Sequence, residues 1–198
     1  MGDGSDSMGW KYMKKDLIVV GNKPPTMITL SNSIDSFDYV FRLGRMNYYG
    51  YTGVRIDGIF LEANVDFKHV HEGGEHRGCL KIPPKVFMKQ YWYERFSDWQ
   101  KYLTVSQYNN IEVVNISRAE SEIGFQRLTS SVLFIHYLLN SDWFNHYNIH
   151  VTCLDIEERE RLIDHNPLFS WHKGGGFFEQ QYLEKMIKKQ HLHVFENR

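Results

Sequence analysis

Residues 15–21, KDLIVVG, constrain the fold more than any other stretch of the chain. Leu17, Ile18, Val19 and Val20 form an unbroken apolar run, with charge before it and glycine after it. A strand with one wet face alternates apolar and polar residues. A continuous run of this length suits a strand buried on both faces, as in a parallel sheet covered by helices on each side. Further strands are expected at 38–43, 58–61, 111–116, 149–154 and 191–195. Helical patterns lie between them. Met88, Trp92, Phe96, Trp99 and Leu103 recur at helical spacing after Pro83 and Pro84. The segment 130–139, SSVLFIHYLL, is apolar on nearly all sides and reads as a buried helix. Phe178, Tyr182, Leu183, Met186 and Ile187 stripe a last helix, and Pro24 and Pro25 suit the first turn of a short one. Strands alternating with helices argue for a single Rossmann-like α/β domain, a mostly parallel sheet flanked by helices. Ligands of such sheets bind beyond the carboxyl ends of the strands, which points to Asn22, Arg42, Glu62 and Asp155.

Composition narrows the partners. With 198 residues, 42% of them hydrophobic and 24% charged, the chain fits one domain with a real core. A net charge of −1 supplies no global attraction to nucleic acid, so no nucleic-acid partner is expected. Cys79 and Cys153 lie far apart without a C-x-x-C pairing, which fits free thiols in a reducing compartment and a cytoplasmic location. No apolar run approaches the roughly 20 residues that span a bilayer. The start, MGDGSDSMG, is Gly/Ser/Asp-rich, so residues 1–14 are expected to be a disordered leader or tag ahead of a domain at 15–198.

Four constellations carry polar chemistry. At Gly21-Asn22 the strand stops where glycine permits close backbone approach and the amide of Asn22 can bond a ribose, phosphate or carboxylate; an ordinary strand-to-helix turn would use the same residues. The segment 68–76, KHVHEGGEH, resembles H-E-x-x-H but has one residue too many between His71 and His76, and its glycines disfavour a helix. It reads as a polar loop, with a metal loop of His69, His71 and His76 as the alternative; no metal is assigned. His172 precedes Gly174, Gly175 and Gly176 and the last helix, where a mobile loop would carry a general base. Thr129, Ser130 and Ser131 open the buried helix; their hydroxyls suit capping, and the N–H groups just inside suit an anion.

In this order the pieces resemble the sialyltransferase superfamily. Val20-Gly21-Asn22, then Ile34-Asp35-Ser36-Phe37-Asp38-Tyr39-Val40-Phe41-Arg42, then Gly53-Val54-Arg55-Ile56-Asp57 are similar to its first motif. Asn47 is a shifted substitute for an asparagine the family has where this chain has Gly44. Ser130-Ser131, the helix after them and Val151 to Asp155 are similar in layout to the second motif, and His172 with Glu179 to the last.

The resemblance implies a GT-A-like, Rossmann-like transferase moving a sialic acid from CMP-sialic acid to a glycan hydroxyl with inversion, without metal or cofactor. It makes His172 the base and puts Gly21, Asn22 and Asn47 on CMP. Ser130 and Ser131 would lie near the phosphate or sugar carboxylate, Arg42 and Asp57 would brace the crevice, and Glu179 would belong to the site. Its partners are then the CMP-sugar donor and the glycan acceptor, with peripheral membrane association through a lipid-borne acceptor (as in lipooligosaccharide synthesis) and a homo-oligomer completing a short acceptor site. Three alternatives stay open: a CMP-Kdo donor, a nucleotide-binding relative without catalysis, and, more remotely, a metal-dependent hydrolase.

Overall fold

The computed structural model describes residues 14–25, 30–61, 85–95 and 103–196. Seven parallel strands form one sheet in the order β5-β4-β3-β2-β1-β6-β7. They are β1 (Lys15–Val20), β2 (Tyr39–Leu43), β3 (Gly58–Leu61), β4 (Lys85–Lys89), β5 (Glu112–Val114), β6 (Tyr147–Thr152) and β7 (Leu192–Val194). The helices are α1 (Leu30–Asp35), α2 (Gln90–Arg95), α3 (Val105–Asn109), α4 (Ile116–Ile123), α5 (Ser130–Leu139), α6 (Asp142–His146), α7 (Arg159–His165) and α8 (Gly176–Lys188), with a 3₁₀ turn at Pro167–His172. The chain is a Rossmann-like α/β domain, and every strand pair in its sheet is parallel.

The apolar run of β1 is buried on both sides because helices cover both faces. Leu17 and Val19 join Phe41, Phe60, Phe87 and Val151 under α5 and α8, whose Phe134 and Leu183 are in the same cluster. Ile18, Val20 and Val40 point the other way, onto Leu30 and Ile34 of α1. Seven of the ten residues of α5 are buried, and Phe134 packs its ring on Phe41, Phe60 and Phe87 with centroids 4.8–6.1 Å apart. That explains a helix without a polar face.

Two expectations change. No helix begins directly after Pro83 and Pro84: Val86, Phe87 and Met88 form strand β4, and the helix starts only at Gln90. Met88 fits a helical stripe by spacing, but it sits among Ile59, Leu61 and Val86 of the sheet. Pro24 and Pro25 precede α1 in non-helical chain. The leader through Met13, Glu62, Cys79, the histidines of 68–76, and Phe96 and Trp99 of the proposed stripe lie outside the described residues. Among the described residues, no helix is long and apolar enough to cross a membrane.

Topology fixes where a ligand can enter. β1 leads through α1, on one face, to β2; neighbouring β6 leads through α7 and α8, with α8 on the opposite face, to β7. Beyond the carboxyl ends of β1 and β6 the two connections leave for opposite faces, the topological switch point at which sheets of this kind form a ligand crevice.

Candidate functional site

The β1 side of the crevice is Gly21, Asn22 and Lys23, and the β6 side is Cys153, Leu154 and Asp155. Gly21 N–H donates to Thr152 O at 2.9 Å and Lys23 N–H to Cys153 O at 3.0 Å, zipping the loops together beyond the ladder. A Cβ on Gly21 would lie 2.1 Å from Cys153 O, so glycine is required by the opposite backbone. Cys153 itself has φ of 55°, a left-handed conformation that costs a non-glycine residue free energy and is concentrated at functional corners. Burial raises its thiol pKa, so it is no ready nucleophile. Asn22 is half-buried, and its Oδ1 is buried without a hydrogen-bond donor among the described residues. Lys23 Nζ contacts Asp155 Oδ1 at 2.5 Å.

The N-terminus of α5 stands beside this crevice, because Arg159 of α7 joins the two. Its Nη1 donates to Asp155 O at 3.2 Å and its Nη2 to Thr129 Oγ1 and Ser131 Oγ at 2.5 and 2.7 Å. Its Nε contacts Glu179 Oε2 at 2.7 Å. Glu179, fully buried, also accepts from Thr129 N–H at 2.5 Å and from Thr129 Oγ1 at 2.8 Å. The anion at this helix start is thus the chain's own carboxylate, where the macrodipole favours negative charge. The polar atoms of Ser131 and Glu179, both expected at the ligand, here hold α5, α7 and α8 together. Ser130, the first residue of α5, is only partly buried.

His172 ends the 3₁₀ turn and is bonded to Arg127, two residues before Thr129. Its Nδ1 lies 2.6 Å from Arg127 O. A carbonyl only accepts, so Nδ1 carries a proton, and in a neutral ring that places the lone pair on Nε2. Arg127 has φ of 62° and its N–H donates to Glu120 Oε1 at 2.6 Å, so the carbonyl that orients the imidazole is itself fixed. The glycines after His172 form a tied loop, unlike the open hinge expected. Asp164 Oδ1 accepts from Gly174 N–H and Gly176 N–H, and a Cβ on Gly175 would meet Phe125 at 2.5 Å. Beside His172, Trp171 is 68% exposed with the Arg127 guanidinium 5.6 Å from its ring centre. An open groove of about 360 Å³ runs along Ser117, Glu120, Ser121, Gly124, Phe125 and Gln126, and reaches this region through Glu120.

The rest of the first motif builds the loop after β2. Arg42, 1% exposed, donates through Nε to Arg55 O and through its Nη atoms to Thr52 Oγ1 and Thr52 O, at 2.8–3.0 Å. Asp57 accepts from Val40 N–H at 2.8 Å and pairs with Arg55. Asp35 accepts from Val54 N–H and Arg55 N–H. Arg42 and Asp57 therefore tie the loop after β2 to the end of that strand. Asn47 is exposed on this loop, beside the end of β2 and away from the β6 side.

Asn22 follows β1, Ser130 opens α5 and His172 ends the 3₁₀ turn, with no bond between them among the described residues, whereas Arg42 lies in β2 and Asn47 and Asp57 in the loop after it. Sequence reasoning missed Lys23, Arg159 and Asp164. Lys23 adjoins the recognised corner and is visible in hindsight; Arg159 stands in the charged run EERER, which reads as an ordinary solvated face. Among the described residues no group of three or more His, Cys, Asp or Glu is placed to hold a metal ion. No protein-family model and no curated protein matches the chain.

Proposed function

We propose that the chain is a glycosyltransferase moving a sialic acid, or a similar sugar acid such as Kdo, from a CMP-activated donor to a glycan hydroxyl with inversion. The observation that carries this reading is the β1–β6 corner. The Gly21-Asn22 element, which opens the run of residues through Asp57 that carries the family resemblance, lies at the switch point of a parallel sheet, with the buried Asn22 Oδ1 lacking a donor among the described residues. An unmet buried oxygen costs about 1–3 kcal/mol, which an amino or hydroxyl donor of a nucleotide would recover. In the reaction the acceptor hydroxyl attacks the anomeric carbon from the face opposite CMP, the bond to the phosphate oxygen breaks, and CMP leaves with the electron pair. Nε2 of His172 takes the hydroxyl proton, a role its Nδ1 bond to Arg127 O supports. Such a base contributes about 10²–10⁴-fold. The exposed indole of Trp171 offers the acceptor ring an apolar face beside that base.

His172→Ala tests the assignment. Turnover of CMP-sialic acid is expected to fall by about 10²-fold or more with CMP binding retained; full activity in the folded variant refutes His172 as base. A second reading, a CMP-binding relative without transfer, is favoured by the commitment of Ser131 and Glu179 to internal bonds. Calorimetric CMP binding without turnover of any CMP-sugar would select it, and absence of CMP binding would remove both.

A further inference from the structure

The CMP reading requires a seat for a phosphate, and the helix start expected to supply one is occupied by Glu179. Arg42 and Arg159, which also end near this edge, are buried and bonded within the chain. Lys23 differs from both. It directly follows Asn22, its backbone is anchored by Cys153 O, and 42% of its side chain is exposed. Among the described residues its ammonium pairs with the carboxylate of Asp155, which follows β6. That carboxylate stands in for an anion.

We propose that Lys23 binds the donor phosphate and that Asp155 occupies it in the empty protein, so that nucleotide binding exchanges a carboxylate for a phosphate on one ammonium. The inference rests on the CMP reading and deepens it by assigning the phosphate contact and an internal competitor. Three features support the exchange. The pair is partly solvated on both sides, so the bond breaks without stranding a buried charge. A lysine ammonium is a point charge on a flexible stem and can follow a new anion, which a forked guanidinium held by several acceptors cannot. The bond to Asp155 raises the Lys23 pKa, so the side chain stays cationic at neutral pH. Once released, Asp155 lies near a phosphate of like charge, so the carboxylate opposes binding.

The two residues therefore have opposite effects, which no purely structural role of the pair produces. The test titrates the full chain and its Lys23→Met and Asp155→Asn variants with CMP and with cytidine. Lys23→Met is expected to weaken CMP by roughly 10-fold or more, the scale of a charge-assisted hydrogen bond, and to leave cytidine within about 2-fold. Asp155→Asn is expected to tighten CMP by about 3-fold, the scale of a partly exposed ion pair, with cytidine again unchanged. The CMP preference over cytidine should weaken with added salt in the wild type and lose most of that dependence in Lys23→Met. An unchanged CMP-to-cytidine ratio in Lys23→Met, or weaker CMP binding by Asp155→Asn, overturns the exchange while the CMP reading stands. Failure of the wild type to bind either compound overturns both. Should Lys23→Met not fold, the sign of the Asp155→Asn effect decides alone.

Discussion

The buried carboxylate of Glu179 makes the sharpest demand on stability. It is fully buried and accepts three bonds, from Thr129 N–H, Thr129 Oγ1 and Arg159 Nε, while the Arg159 side chain is 4% exposed. Glu179→Ala leaves a guanidinium in the interior without its counter-charge and an amide at the α5 start without an acceptor. Breaking one side of a buried pair in this way costs about 3–5 kcal/mol. A domain's whole stability is about 5–15 kcal/mol, so the variant should lose a large part of it. With a urea slope of about 2–3 kcal/mol per molar, the unfolding midpoint should fall by about 1–2 M. Replacing both partners, Arg159→Met with Glu179→Leu, removes the stranded charge together with the pair and should recover most of the loss, because an apolar pair of similar volume escapes the desolvation penalty. Glu179→Gln separates charge from hydrogen bonding and should fall between. A Glu179→Ala loss below about 1 kcal/mol, or a double variant no better than the single one, would refute the reasoning.

Two further outcomes are expected. Gly21→Ala places a methyl group 2.1 Å from Cys153 O, so the two loops must separate; overpacking of this kind costs about 1–3 kcal/mol, and CMP affinity should fall with it in calorimetry. Unchanged affinity would detach that corner from binding. Acid should loosen the β6–β7 edge, where His193 and His150 face each other with ring centres 5.1 Å apart beside Asp16. Burial first, and then the neighbouring His150, lower the His193 pKa from its ordinary 6.5, so below that value the unfolded chain binds more protons. Its contribution is complete above pH 6.5 and is lost as pH falls through the lowered folded value. The Asp16 carboxylate, held below 3.8 chiefly by Asn148, adds a second loss only at lower pH. His193→Gln should flatten the fall in urea midpoint between pH 6.5 and 5; an unchanged slope would exclude His193 as its source.

How much of this was legible depended on length and burial. The run in β1 and the uniformly apolar α5 announced themselves because both sit where every direction is core. α4 did not: with only Ala119 buried, its markers are Asn115, which accepts from Arg118 N–H, and left-handed Gly124, neither of which stands out beside strong apolar stripes. Met88 misled because spacing of about four residues cannot distinguish a helix from a strand that runs straight into one. The glycine at the crossing of two backbones was readable as a close backbone approach. The roles of Ser131 and Glu179 were not, since their partner Arg159 is brought to them only by the packing of α7 against α8.

That packing also separates two anions which look alike in sequence. Glu179 and Asp155 each rest on a cation at the same edge, so a phosphate arriving there would have to displace one of them. Displacing Glu179 breaks three bonds in a fully buried setting and leaves Arg159 and Thr129 to be rematched in the interior, a cost of about 3–5 kcal/mol before any contact is made. Displacing Asp155 breaks one bond between partly exposed groups, worth about 0–1 kcal/mol, and releases a carboxylate that is 20% exposed toward water. A single charge-assisted contact gains about 1.5–3 kcal/mol, more than the cost of parting Asp155 from Lys23 and no more than the cost of displacing Glu179, so the proposed exchange favours Lys23 over the helix start. On the proposed exchange the two seats would take different roles: Glu179 ties α5, α7 and α8 together, and the Lys23–Asp155 pair is the one a phosphate would open.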